Sequence, residues 1–299
     1  MKRLTKILTG WGALVFGFAF LVSVAPGMQV SASANEYVGA ETCVGCHTDR
    51  GEAFAGTLHG KKLPLVEKIT FEKSCETCHG MGGDHANAGG DANDPGFASI
   101  TNGTAETCLN CHKGGEVKFW GISSHNQANV SCNKCHSVHA GKGPQNLLQS
   151  PNETCLTCHK KERMEGLLPS HHPLAEGRMT CSDCHNPHGG ASGNLRAETV
   201  NELCFKCHAD KAGPFVFEHP PVAEDCSNCH VPHGSQNTTL LKRPQVAVCQ
   251  ACHVQPHWDN GTRSAATSLG AQRIIDYGQC TKCHPEIHGS DRRHRFNPR

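Results

Sequence analysis

Apolar residues are concentrated at one end of the chain. A basic start at residues 2–6 precedes an apolar stretch from Ile7 to Ala25, and Ala32-Ser33-Ala34 offers small residues for cleavage after Ala34. This order is typical of a secretory signal peptide, which predicts removal of residues 1–34 and a mature chain of residues 35–299. An uncleaved membrane anchor is the alternative, because the apolar stretch approaches the roughly 20 residues that span a bilayer.

The remainder of the chain shows no long hydrophobic periodicity. Its 32 glycines and 16 prolines interrupt it too often for long elements, and alternating strand patterns are scarce. The best helical segment is residues 154–168, and Glu153 and Glu202 stand where helix starts are expected, since the helix dipole favours acidic residues there. The pattern predicts a mostly irregular chain with short α-helices and almost no β structure.

The composition makes a conventional core difficult to build. Only 37% of residues are hydrophobic and 5% aromatic, below the roughly 45–50% apolar share of ordinary globular domains. Without the three basic residues of the predicted signal peptide, the chain has 25 Lys and Arg against 27 Asp and Glu, and therefore no excess of positive charge for binding nucleic acid. The 20 cysteines and 22 histidines indicate instead that something other than side chains fills the interior.

Every cysteine belongs to a C-x-x-C pair that is followed directly by histidine. The ten motifs, numbered 1 to 10 along the chain, contain Cys43, Cys46 and His47; Cys75, Cys78 and His79; Cys108, Cys111 and His112; Cys132, Cys135 and His136; Cys155, Cys158 and His159; Cys181, Cys184 and His185; Cys204, Cys207 and His208; Cys226, Cys229 and His230; Cys249, Cys252 and His253; and Cys280, Cys283 and His284.

C-x-x-C-H is the attachment signature of c-type haem. The two thiols bond to the porphyrin, and the histidine presents imidazole to one face of the iron. A zinc half-site or a redox disulfide would explain a single pair, but neither requires histidine after all ten. The sequence therefore predicts ten covalently bound haem c groups, and folding that depends on their attachment.

The other histidines recur in step with the motifs, so that the chain reads as five two-motif units, I to V, starting near residues 43, 108, 155, 204 and 249. One histidine follows the first motif of each unit and another follows the second, and we expect these ten to supply the second axial ligands. They are His59, His85, His125, His139, His171, His188, His219, His233, His257 and His288. His85 and His257 depart from the spacing of the other units, and His294 is spare.

Two of these assignments need comment. In unit III, His171 and His172 are adjacent, and the gapless alignment of HHPLAE (171–176) with HPPVAE (219–224) favours His171 over His172. In CSDCHNPHGG (181–190), His188 lies only three residues after His185, and three residues span at most about 10 Å. His188 therefore cannot easily reach the opposite face of the same iron, and we expect it to ligate a different haem, as we do for His139, His233 and His288.

Two histidines on each iron leave no open coordination position, which a haem enzyme acting on a small substrate requires. The methionines after the leader, Met81, Met164 and Met179, do not repeat with the motifs. The sequence therefore predicts electron transfer without a catalytic haem site.

The count of motifs, the paired units and the CxxCHxPHG and SHHP elements resemble the periplasmic decahaem cytochromes of porin–cytochrome conduits. The resemblance covers the mature chain. It implies a multihaem cytochrome c fold, a thin polypeptide wrapped round a linear haem stack. It also implies an exported protein that associates with the outer membrane and inserts into a β-barrel porin. There it would conduct electrons between the periplasm and the cell surface, with a periplasmic or inner-membrane donor and an outer-surface multihaem cytochrome as further partners.

Three other functions stay open on the sequence alone. They are a soluble periplasmic electron shuttle or store, a subunit of an extracellular haem filament, and a multihaem reductase with one haem lacking its second ligand. Neither the direction of electron flow nor the terminal acceptor follows from the sequence.

Overall fold

The computed structural model describes residues 35–141, 143–190, 192–253, 279–282 and 284–292. From Glu36 onwards, these residues belong to the body Glu36–Arg299. The predicted signal peptide, together with Cys283, His257 and His294, lies outside the described residues. Within them, no helix is long and apolar enough to cross a bilayer.

The described residues form short α-helices, the longest of nine residues, and no β-strand. The α-helices are α1 (Ala40–Cys46), α2 (Thr48–Gly56), α3 (Leu58–Val66), α4 (Phe71–His79), α5 (Gly83–Asn87), α6 (Ala105–Leu109), α7 (Ser124–Gln127), α8 (Pro151–Leu156), α9 (Lys160–Glu165), α10 (Cys181–Cys184), α11 (Val200–Phe205), α12 (Pro220–Glu224) and α13 (Gln245–Gln250). Irregular segments and single 3-10 turns connect them. The predicted fold class is confirmed in this respect.

Local sequence explains where the helices start and end. Thr199 caps α11 through a capping box with Glu202, and Glu153 lies in the first turn of α8, as expected from the sequence. The helix predicted over 154–168 is divided into α8 and α9, because His159 leaves the helical conformation (φ −80°, ψ 70°). His47 and His208, which hold the same place in their motifs, do likewise.

Side chains contribute little to the interior. Among the described residues, the buried hydrophobic side chains are only Ala40, Trp120 and Leu241. So small a core could not offset the conformational entropy lost on ordering a chain of this length. The fold therefore depends on polar contacts within each unit and on whatever fills the space between the motifs.

Amide side chains join the two motifs of a unit. Asn201 donates hydrogen bonds through Nδ2 to the carbonyls of Val222 (2.9 Å) and Ala223 (3.1 Å), and its Oδ1 accepts from the N–H of Cys226 (2.7 Å). Asn152 makes the same three contacts in unit III, with the carbonyls of Leu174 and Met179 and the N–H of Cys181. Each asparagine thus ties the helix of the first motif to the start of the second.

Unit I uses a carboxylate for a similar purpose. Glu76 is buried and accepts hydrogen bonds from the N–H groups of Val38, Gly39 and Gly82 at 2.9–3.0 Å. Burial alone would raise the pKa of Glu76, but the three donors outweigh it and hold the pKa below its usual range. The ionised carboxylate therefore joins the segment just before α1 to the second motif.

Adjacent units pair through isolated backbone bridges and closely packed glycines. Ser170 and Ser235 exchange two hydrogen bonds (3.1 and 2.8 Å) between units III and IV. Gly234, next to Ser235, lies so near the carbonyl of Glu165 that a Cβ at this position would overlap with it. The glycine that follows histidine in PHG therefore allows one unit to approach the next.

Asn201 offers a test of the contacts within a unit. Asn201→Ala leaves two carbonyls and one N–H without their partner, and unpaired buried groups cost roughly 1–3 kcal/mol each where water cannot reach them. We expect a lower denaturation midpoint for the holoprotein, with a loss of about 1–3 kcal/mol. Asn87→Ala, at an exposed helix end, is the matched control. Equal midpoints for the two variants would contradict the role of Asn201.

Candidate haem-binding site

The ten motifs share one backbone geometry. In nine of them the histidine N–H donates to the carbonyl of the first cysteine, at 2.9–3.1 Å, and in motif 2 the histidine, His79, lies within α4. This single helical turn holds two thiols and an imidazole on one short segment. All nineteen described cysteines are free of disulfides, so the thiols are available for bonds to another group.

The cysteines of successive motifs lie near one another in a regular order. Within unit I, burial and the neighbouring thiol of Cys75 raise the pKa of Cys43 to about 11. The first cysteines of the two motifs are neighbours in the same way in every unit, with the pairs Cys108 and Cys132, Cys155 and Cys181, Cys204 and Cys226, and Cys249 and Cys280.

Between units, the second cysteines are neighbours instead. The pairs are Cys78 and Cys111, Cys135 and Cys158, Cys184 and Cys207, and Cys229 and Cys252. The contacts therefore alternate within and between units, and they link all ten motifs into one continuous series.

The histidines outside the motifs face the motif histidines in pairs. Nine pairs have ring centroids 5.9–6.3 Å apart: His47 with His85, His79 with His139, His112 with His59, His136 with His188, His159 with His125, His185 with His233, His208 with His172, His230 with His288, and His253 with His219.

This spacing fits one metal ion between each pair of rings. Metal–imidazole bonds of about 2 Å on each side, plus roughly 1 Å from each ring centre to its nitrogen, give a centroid separation of about 6 Å. Aromatic rings in direct contact have centroids about 4.5–7 Å apart, so it is the recurrence of one spacing in nine imidazole pairs, and not the distance alone, that indicates a metal. The donor set and its spacing therefore fit an iron held by two imidazoles.

The pairs follow a simple exchange between adjacent units. The histidine that follows the first motif of a unit faces the first motif of the next unit, as His125 faces His159. The histidine that follows a second motif faces the second motif of the preceding unit, as His188 faces His136. His188 does not face His185, in agreement with the limit on its reach. Each junction between units is therefore bridged twice, once in each direction.

The first unit has no preceding neighbour, which explains the unusual spacing of His85. Its ring faces His47 of the same unit, 6.3 Å away. His257, the other irregular histidine, remains a prediction for the partner of motif 10, because it lies outside the described residues.

In unit III, the structure brings the other of the two adjacent histidines opposite a motif histidine. His172, not His171, faces His208. His171 instead contacts Glu176 through Nε2 (3.0 Å) and donates through Nδ1 to the carbonyl of Leu168 (2.5 Å). The gapless alignment of HHPLAE with HPPVAE does not identify this pairing, because two residues more separate His172 from its first cysteine than separate His219 from its own.

Many of the paired rings are oriented by backbone carbonyls. The Nδ1 atoms of His125, His172 and His219 bond the carbonyls of Pro187, Pro232 and Ile287 at 2.8–2.9 Å; each of these carbonyls lies just before a histidine of the next unit. A carbonyl only accepts, so Nδ1 carries the hydrogen and Nε2 is the nitrogen left for a metal. Such bonds are typical of metal-ligating histidines.

The second motifs use carbonyls of their own unit. The Nδ1 atoms of His79, His136, His185 and His230 bond the carbonyls of Thr101, Gln145, Gly193 and Thr239 at 2.7–3.3 Å. Burial also lowers the pKa of His59, His139, His188 and His288, which favours the neutral imidazole that binds metal.

Eight of the nine pairs of rings, all except His47 with His85, border one continuous cavity of about 3490 Å³. A pocket for a single ligand measures roughly 300–1,000 Å³, so this cavity is several times larger. Its lining runs from Phe54 to His288 and includes residues of motifs 2 to 10. Free thiols, facing imidazoles and this volume together fit a row of covalently bound haems.

Sequence reasoning missed the asparagines, Glu76 and the carbonyls that orient the rings. A signal for the asparagines exists, since Asn152 and Asn201 both stand three residues before the first cysteine of their unit. The carbonyls carry no sequence signal, because any residue supplies one.

Known families and relatives match the chain. The doubled CXXCH motif family matches residues 125–164, 171–213 and 219–256, and the family of cytochrome c554 and c-prime matches residues 24–80. The multihaem cytochrome MtrA of Shewanella baltica (strain OS185) is 36% identical over 268 residues, which cover 85% of this chain and 79% of that protein. With the paired imidazoles and the repeated C-x-x-C-H turns, these similarities show that the chain belongs to the MtrA family of multihaem c-type cytochromes.

Proposed function

We propose that this multihaem cytochrome is a ten-haem electron conductor that works within an outer-membrane β-barrel and connects the periplasm with the cell surface. As a member of the MtrA family, the chain is an electron carrier. The nine facing imidazole pairs are the observation that supports a continuous path. The path runs through residues 35–299, arranged as five units.

The proposed ligands follow from the pairing. The two cysteines of each motif hold haem c as thioethers, and the motif histidine binds one face of the iron. The second ligands of motifs 1 to 10 are, in order, His85, His139, His59, His188, His125, His233, His172, His288, His219 and His257. The first nine face their partners as described, and His257 is assigned by the exchange rule.

When bound, haem iron supplies reversible one-electron chemistry. The chain itself fixes the two axial positions, orients the imidazoles through carbonyl acceptors and holds neighbouring motifs close together. With both axial positions taken by histidine, small molecules find no open coordination site. The proposed function is therefore conduction without catalysis.

The resemblance to the decahaem cytochromes of porin–cytochrome conduits supports a β-barrel porin as the partner. An N-terminal export signal supports a periplasmic location in association with the outer membrane. An electron donor in the periplasm or inner membrane and a multihaem cytochrome on the outer surface complete the proposed path. A soluble shuttle and a filament subunit are the alternative assemblies.

Association with a barrel can be tested on the native protein. We expect the cytochrome to co-purify from detergent-solubilised outer membranes with a large β-barrel protein. Vesicles that contain this complex should then pass electrons from an external reductant to an acceptor sealed inside. Recovery of all the cytochrome as a soluble monomer would favour the shuttle, and ordered polymers in electron micrographs would favour the filament. Either result would contradict the conduit.

The adjacent histidines of unit III provide a matched pair of variants. His172→Met should replace one imidazole ligand by a thioether, which raises the reduction potential of one haem and alters its spectrum. His171→Met should leave the ligation spectrum unchanged, since this ring binds Glu176 and Leu168 instead. The covalent haem count should be the same in both. The opposite assignment would hold if only His171→Met changed the spectrum.

The assignment of His257 to motif 10 by the exchange rule predicts the outcome for a second pair of variants. His257→Ala should leave one iron in ten with an open axial position, so that the reduced protein binds about one equivalent of carbon monoxide. His294→Ala, the control, should bind none, because the exchange rule leaves this histidine without a partner. If His257→Ala takes up no carbon monoxide, motif 10 has another ligand.

A further inference from the structure

Helix α9 brings two carboxylates to paired histidines in the middle of the series. Glu165 Oε2 lies 3.5 Å from Nδ1 of His233, which faces His185 of motif 6. Glu162 Oε2 lies 3.7 Å from Nδ1 of His159, the histidine of motif 5. One short helix therefore places negative charge beside the ligand pairs of both motifs in unit III.

These carboxylates are partly shielded from water. The side chains of Glu165 and Glu162 are 28% and 33% exposed, so solvent screens their charges less than those of fully exposed groups. The nearby cation, Lys161 at 3.5 Å from Glu165 Oε1, is 79% exposed and offsets the carboxylate only in part.

The approach of Glu165 is built into the junction between units III and IV. The carbonyl of Glu165 packs against Gly234, where a Cβ would overlap with it, and Gly234 directly follows His233. The backbone of Glu165 therefore packs in the junction, and its side chain lies beside His233, the proposed iron ligand. This position is fixed by packing as well as by charge.

The corresponding histidines of other second motifs have different surroundings. His188 Nδ1 is buried and has no hydrogen-bond partner. The acid that acts on its charge, Glu116, is paired with Arg196 at 3.0 Å. Near His288, Lys211 and Asp210 form an ion pair with each other at 2.8 Å. In both cases the acid's charge is largely balanced by its partner.

We propose that Glu165 and Glu162 lower the reduction potentials at motifs 6 and 5 and make unit III a low-potential segment of the electron path. A carboxylate beside the ligand stabilises oxidised iron, which carries one more positive charge than reduced iron. A carboxylate at Nδ1 also strengthens the imidazole as a ligand. The inference rests on the proposed function, since it requires haems at both motifs with histidine on both faces.

The test is a spectroelectrochemical titration of the holoprotein and its charge variants. Glu165→Gln should shift one one-electron component to a more positive potential, and Glu162→Gln should shift a second. Lys161→Gln should shift the Glu165-dependent component to a more negative potential, which a merely structural effect of α9 would not do. Glu67→Gln, an exposed acid in unit I, is the control for a loss of general negative charge.

Two results would overturn the inference. One is an unmoved titration in Glu165→Gln, and the other is an equal shift in Glu67→Gln. The haem count and the low-spin spectrum of the unmodified protein report separately on the proposed function. Missing haems or open irons there would overturn the function itself, whereas intact ligation with unmoved potentials would overturn only the role of the carboxylates.

Discussion

The fold depends on pairs of imidazoles that face each other about 6 Å apart, each pair closing on one proposed iron. Chain connectivity prevents the histidine three or four residues after a motif from reaching the far side of its own iron. It therefore crosses to the neighbouring unit, as His188 does to His136. In the proposed ligation, the same bond that completes a coordination sphere joins two units. Ligation and tertiary structure are thus one interaction in this chain, which is why so small a side-chain core is sufficient.

This exchange also explains the irregularities of the repeat. Interior units can give and receive a histidine on both sides, but a terminal unit has a neighbour on one side only. His85 turns back onto motif 1, and its longer loop gives it the reach to do so. The glycine in PHG and the carbonyls just before the histidines that follow the second motifs belong to the same junctions. Sequence features that look like separate motifs are therefore parts of one repeated contact between units.

The sequence predicts much of the fold and of the candidate site, because haem attachment requires a short and recognisable motif. The C-x-x-C-H turns, the short helices and the crossing of His188 to another motif all follow from spacing. The choice between His171 and His172 does not, because it depends on where Pro232 of the next unit presents its carbonyl. The buried amide of Asn201 and the carboxylate of Glu76 are likewise hidden in sequence, since their partners are backbone groups brought close only by the fold. Pairing across units is a three-dimensional property, and local alignment does not contain it.

The measurement that tests the central claim most directly is near-infrared magnetic circular dichroism of the oxidised protein, combined with a haem count by mass spectrometry. The account predicts ten covalently attached haems, with the charge-transfer signal of two imidazole ligands accounting for every iron. A substantial high-spin or methionine-ligated fraction, or far fewer than ten haems, would contradict it.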